Sequence, residues 1–169
     1  MSWDSSWPTL EMQASRRRLK NLRKTLDELP HEPPEVGAEL ARFLVVRASG
    51  YVEHTFETCI RHFVEAHSHP TVARHVNAGL FKGRNPSSAT LLERTKTLSE
   101  EWHAQLENYL EVDDARVQRE LNFMVDRRNR IAHGENESVR RRKALDLADI
   151  ALDVGAFLTE LIDPRNSAP

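Results

Sequence analysis

From Glu35 to about Ala66 the chain contains no proline, and Leu40, Phe43, Leu44, Tyr51, Val52, Phe56, Ile60 and Phe63 recur at helical spacing as a broad apolar stripe. That spacing predicts one long helix, entered at Pro33-Pro34 and stopped by His67-Ser68-His69-Pro70. Gly50 in mid-helix suggests that another helix approaches closely there. No segment shows the period-two alternation of a strand, no unit repeats, and there is no glycine-rich phosphate loop. The expected fold is therefore an all-α helical bundle with additional short helices and an N-terminal helical extension.

The same periodicity divides the rest of the chain. Between Thr9 and Leu29, Leu10, Leu19, Leu22, Leu26 and Leu29 fall on one side, while Arg16-Arg17-Arg18, Lys20, Arg23 and Lys24 make a basic face. Such a face has the charge to touch RNA, and it is equally the solvated side of an ordinary helix. A short helix is expected from about Pro70 to Ala78, then a loop over 79–85. Asn85-Pro86 reads as an N-cap with proline at N1, opening a helix to about Leu98. Ser99-Glu100-Glu101 caps a helix with Trp102, Leu106 and Leu110, and Asp113-Asp114 starts another with Val117, Leu121, Met124 and Ile131. Gly134 is the expected C′ glycine of that helix.

The last helix, from about Ser138 to Ile162, places Asp146, Asp149, Asp153 and Glu160 on one narrow strip and is apolar almost everywhere else. It is either central to the bundle or shared with a second chain, and this favours a dimer. The resulting division is an N-terminal arm and basic helix over 1–34, a helical domain over 35–163, and a loose tail over 164–169.

At 169 residues the chain is long enough for one domain with a core. The single cysteine, Cys59, excludes an intramolecular disulfide and a cysteine zinc site, and points to a reducing compartment; the expected location is cytoplasmic. No apolar run is long enough to span a membrane, and residues 1–8 lack the pattern of a signal peptide. His62, His67, His69 and His75 cluster in sequence without a recognised ligand spacing or an acidic partner, so they read as surface histidines and no metal or cofactor is expected. Charge is uneven: between Arg127 and Lys143 seven Lys/Arg face two acids, a local +5 on a chain of net charge −2. A basic segment on an otherwise acidic protein selects a polyanion for one place.

Inside that segment lies Arg127-Arg128-Asn129-Arg130-Ile131-Ala132-His133-Gly134-Glu135. Residues four apart on a helix differ by ~40° in azimuth and residues five apart by ~140°. Asn129 and His133 therefore share a face, and Arg128 joins them only by side-chain reach or by unwinding at the Gly134 end. Together they offer a proton carrier near neutral pH, a bidentate phosphate ligand and a carboxamide to orient either. The stretch supplies no metal-ligand set, so phosphodiester cleavage here would use the 2′-hydroxyl of RNA as nucleophile. Basic residues in a last turn followed by glycine are also what caps a helix, and composition leaves both readings open.

The run from Arg128 to His133 resembles the Arg-(four to six residues)-His motif of the HEPN superfamily, including a polar residue directly after the arginine. Ser49-Gly50-Tyr51-Val52-Glu53, Asn85-Pro86, Trp102 and the run through Glu135 extend the likeness to the RiboL-PSP-type branch, from about residue 38 to residue 162. The resemblance implies a HEPN-like domain that dimerises through its C-terminal helices, so that two motifs face one cleft. Many such proteins are metal-independent endoribonucleases acting as toxins or in phage defence. Carried over, Arg128 and His133 are the catalytic pair and Asn129 the polar helper. Arg127, Arg130, Arg140 and Arg141 are candidate RNA contacts, and Glu53 is a possible cleft carboxylate that reads equally as a helix-surface acid. An antitoxin or defence-system partner is implied as well. The same fold also serves as a non-catalytic RNA- or nucleotide-binding module or as a structural subunit. Some toxin members carry, two residues after the histidine, a tyrosine that a partner nucleotidyltransferase modifies; here that residue is Glu135.

Overall fold

A computed structural model describes residues 6–29, 33–79, 85–135 and 138–166. The first five residues, the connector at 30–32, the loop at 80–84, residues 136 and 137 and the last three residues of the expected tail lie outside the described residues. Among the described residues the fold is all α, with six helices: α1 (Leu10–Glu28), α2 (Pro34–His67), α3 (Pro70–Gly79), α4 (Ser88–Leu98), α5 (Glu100–Ala132) and α6 (Arg141–Leu161).

Local chemistry sets the helix starts. Thr9 caps α1 by accepting from Met12 N at 3.3 Å, Pro34 occupies the first turn of α2, and Ser99 caps α5 by accepting from Trp102 N at 3.2 Å. One start differs from the sequence reading: α4 is capped by Ser87, whose Oγ accepts from Thr90 N at 3.3 Å, so Asn85 and Pro86 precede the helix. α6 likewise begins three residues later than expected, with Arg140 as its N-cap. The break expected at Asp113-Asp114 is a left-handed stretch inside α5, with φ of +53°, +56° and +56° at Asp113, Asp114 and Ala115. L-residues there cost ~1–2 kcal/mol each, and aspartate is among those that tolerate it best.

α2 and α6 form the centre, with α1 and α5 on opposite sides of the pair. Tyr51 meets Gly155 and His67 Nε2 meets Pro164 O (2.9 Å), so α2 and α6 run in the same direction. α1 runs against α6, as its pairs Trp7 with Thr159, Arg23 with Asp149 and Asp27 with Arg141 require. α5 runs against α6 in the same way, with Glu120 beside Lys143 and Tyr109 stacked on Phe157. α1 is thus part of the common core, contributing Met12, Leu19 and Leu26.

The apolar circumference of α6 is used inside one chain. Ala144, Leu147, Ala148, Ala151, Val154 and Leu158 are fully buried among α1, α2 and α5. Of the two meanings that its apolarity allowed, the central position is the one observed. Its acidic strip faces outward: Asp149 is held bidentately by Arg23 (2.5 and 2.8 Å), and Asp146 pairs with Arg142 at 3.2 Å. The close helix approach expected at Gly50 occurs instead at Gly155, where a Cβ would fall 2.5 Å from Tyr51 Cε1. Among the described residues nothing comes within 4 Å of a Cβ built at Gly50, which is exposed on α2. The chain end is held as far as residue 166, with Pro164 buried and Arg165 paired to Asp163.

Candidate functional site

α5 ends in a complete Schellman turn. His133 is its C-cap, Gly134 follows at φ +77°, and the closing bonds run from Gly134 N to Ile131 O (3.1 Å) and from Glu135 N to Arg130 O (3.0 Å). Glycine belongs at that φ, and the unwinding that the sequence invited begins here. Arg130 Nε bonds Glu135 Oε2 at 2.7 Å and fastens the turn, giving Glu135 a structural partner. His133 keeps its backbone bond to Asn129 O (3.0 Å), while its side chain is exposed.

One turn back, the half-buried Arg128 donates from Nη1 to two amide oxygens, Asn85 Oδ1 at 2.9 Å and Asn129 Oδ1 at 3.2 Å. Arg128 and Asn129 are therefore brought together by side-chain reach; among the described residues no hydrogen bond or ion pair joins either side chain to that of His133. A neutral amide oxygen orients a guanidinium without neutralising it. Among the described residues no carboxylate pairs with Arg128, so its charge is available to an anion.

Asn85 is the site residue that sequence reasoning missed. It lies 43 positions before Arg128, and its asparagine-proline context reads as a helix cap. Its segment is fixed to α5 by Asn122, whose Oδ1 accepts from both Ser88 N and Ser88 Oγ at 3.0 Å. Asn122 and Arg128 thus hold the start of α4 and the residues before it against α5. The serines after Pro86 were the available hint, since serine caps helices well and displaces Asn85 from that duty.

The other basic residues separate by role. Arg127 and Lys143 each lie 4.8 Å from the centre of the Phe123 ring, and Lys143 also pairs with Glu120. Arg141 donates to the carbonyls of Asp27 (2.6 Å) and Leu29 (3.0 Å), completing the end of α1. Arg140 is exposed at the start of α6. The positive field around the motif is therefore weaker than the count of charges suggests, because Arg130, Lys143 and Arg142 each face a carboxylate.

Beside the motif, Phe43 and Val46 of α2 and Ile131 and Gly134 at the end of α5 line an open hollow of about 450 Å³. Arg128, Asn129 and His133 do not border it, and neither does Glu53. Glu53 lies seven residues beyond Val46, ~10 Å along the helix, next to Glu57, whose carboxyl is pushed up by burial and then by Glu53 itself. Of the histidines, His62 lies near Glu65 (3.7 Å), His67 bonds Pro164 O, and His69 Nδ1 accepts from Thr71 N at 3.3 Å. Among the described residues no three of His, Cys, Asp or Glu are grouped to hold a metal ion, and no helix is long and apolar enough to cross a membrane.

No curated protein and no solved structure is significantly similar to this chain. A family model does match, the one described as RiboL-PSP-HEPN, over residues 13–163, which takes in α1 from Gln13 onward, all of α2 through α6, Asn85 and the whole Arg128 to His133 run. The chain therefore belongs to the RiboL-PSP-type HEPN family.

Proposed function

We propose that this HEPN domain is a metal-independent endoribonuclease, with the role of a toxin or phage-defence effector. In the proposed reaction the 2′-hydroxyl oxygen of RNA attacks the adjacent phosphorus. The bond from phosphorus to the 5′-oxygen breaks, leaving a 2′,3′-cyclic phosphate and a 5′-hydroxyl. Arg128 binds the phosphoryl oxygens and stabilises the charge that builds on them, while His133 transfers a proton. Attack and departure need a base and an acid on opposite sides of the phosphorus, and one chain offers a single motif histidine. A second copy of the chain completes the set.

Apolar surface beside the motif supports that second copy. Val36 and Phe43 are seven residues apart on the outer face of α2 and are 45% and 52% exposed. They offer a second copy an apolar contact near the start of α2, short of Arg47 and Gly50.

The observation that carries the reading is the Arg128 guanidinium, held by two amide oxygens and no carboxylate, one turn before an exposed histidine. The test is cleavage of single-stranded RNA by purified protein in EDTA, with the ends identified. Cyclic-phosphate ends that vanish with His133→Ala are expected; equal cleavage by His133→Ala sinks the proposal. A second reading is favoured by the His133 imidazole, which has no hydrogen-bond partner among the described residues. In that reading the domain grips RNA through Arg128 without cutting it, and salt-dependent binding without products is its signature.

A further inference from the structure

About 10 Å along α2 from Phe43, toward the α1 side of the same outer face, lies a second hollow of about 220 Å³. Its walls include Ser15 and Arg18 of α1 and Arg47, Gly50 and His54 of α2. Glu11 is its one acid, and that carboxylate lies 3.5 Å from His54 Nε2. Arg18 and Arg47 are exposed and have no hydrogen-bond or ion-pair partner among the described residues. Two like charges thus border one hollow, and a bound anion would relieve their repulsion.

Gly50 makes the case more specific. A glycine inside a helix costs ~0.5–1 kcal/mol relative to alanine and is normally offset by close packing. Here nothing among the described residues lies within 4 Å of where its Cβ would be. Bare helix backbone flanked by two unpaired guanidinium groups suits a ligand that is compact, anionic and able to come close. The volume is below the ~300–1,000 Å³ of drug-sized ligand sites and suits a single phosphate group. Phe43, Arg47, Gly50 and His54 follow one another at steps of four, three and four, so this hollow and the one beside the motif open on one continuous face of α2.

We propose that Arg18 and Arg47 form a phosphate subsite for the RNA strand engaged at Arg128, the strand running along the outer face of α2 across Gly50. The inference rests on the RNA reading and deepens it. It does not depend on cleavage.

The test is fluorescence anisotropy with a 2′-O-methyl single-stranded oligonucleotide, which cannot be cut, on wild type, Arg18→Ala/Arg47→Ala and Gly50→Leu. The double variant is expected to bind roughly tenfold more weakly, with a salt slope shallower by about 1.4, the value for two lost single-strand phosphate contacts. At Gly50 an added Cβ meets nothing within 4 Å among the described residues, and the larger side chain of Gly50→Leu is expected to weaken binding by filling the hollow. A dinucleotide reaches only the motif, so its binding should be the same in all three proteins. Wild-type affinity and slope in the double variant overturn the subsite. So does a change of oligomeric state in Gly50→Leu with RNA affinity intact, since the bare face is then a helix contact between copies. Failure of the ribonuclease reading is seen separately, as absence of cleavage by the wild-type protein on unmodified RNA.

Discussion

Asn85→Ala tests how Arg128 is held. The substitution removes the shorter of the two bonds to Nη1, at 2.9 Å, and leaves the 3.2 Å bond from Asn129. Hydrogen bonds to charged groups are worth ~1.5–3 kcal/mol net, and the half-burial of Arg128 with one acceptor retained places the loss near the lower end. About 1.4 kcal/mol is a factor of ten in kcat/KM, and we expect a fall of that order in RNA cleavage. Asn85→Asp separates positioning from folding. Its carboxylate still accepts from Arg128, so resistance to urea is kept, but it competes with the phosphate for the guanidinium and raises KM. The measurements are initial cleavage rates across RNA concentrations in EDTA and urea midpoints for the three proteins. If Asn85→Ala cleaves like wild type, or if Asp and Ala variants behave identically in both assays, Arg128 is not positioned through this bond.

Two further outcomes follow from the packing. Gly155→Ala drives a methyl to within 2.5–2.8 Å of the Tyr51 ring and hydroxyl; overpacking of ~1–3 kcal/mol exceeds the helix gain of ~0.5–1 kcal/mol, so the urea midpoint should fall. Gly50→Ala, with open space around its Cβ among the described residues, should instead raise it, and a fall at Gly50 would mean that the space is filled. His62 is held below the usual histidine range, chiefly by burial, with its ring 6.1 Å from that of Trp7. The unfolded chain then binds a proton more readily than the folded one, so stability rises with pH up to about 6.5 and is lost as pH falls toward the folded-state value. Urea midpoints between about pH 5 and pH 7 should have a shallower slope in His62→Gln, and an unchanged slope removes His62 as its source.

Legibility followed chain distance. The motif occupies consecutive residues of one helix end, so the Gly134 cap was legible from the sequence, and the bond of Arg128 to Asn129 is local. Asn85 acts across 43 residues and stands in a context that imitates a cap, so nothing nearby distinguished an orienting amide from a capping one. Apolarity carried a different ambiguity. The periodicity of α6 states how much of its circumference is buried, and burial by α1, α2 and α5 of the same chain produces the same pattern as burial by a second chain. Gly50 and Gly155 show the same limit for small residues: each interrupts a helix at a similar conformational cost, yet Tyr51 fills the space over Gly155 and nothing among the described residues fills the space over Gly50. Among the described residues nothing covers Gly50 beside Arg18 and Arg47, and the charge bordering that hollow has the sign that attracts an anion.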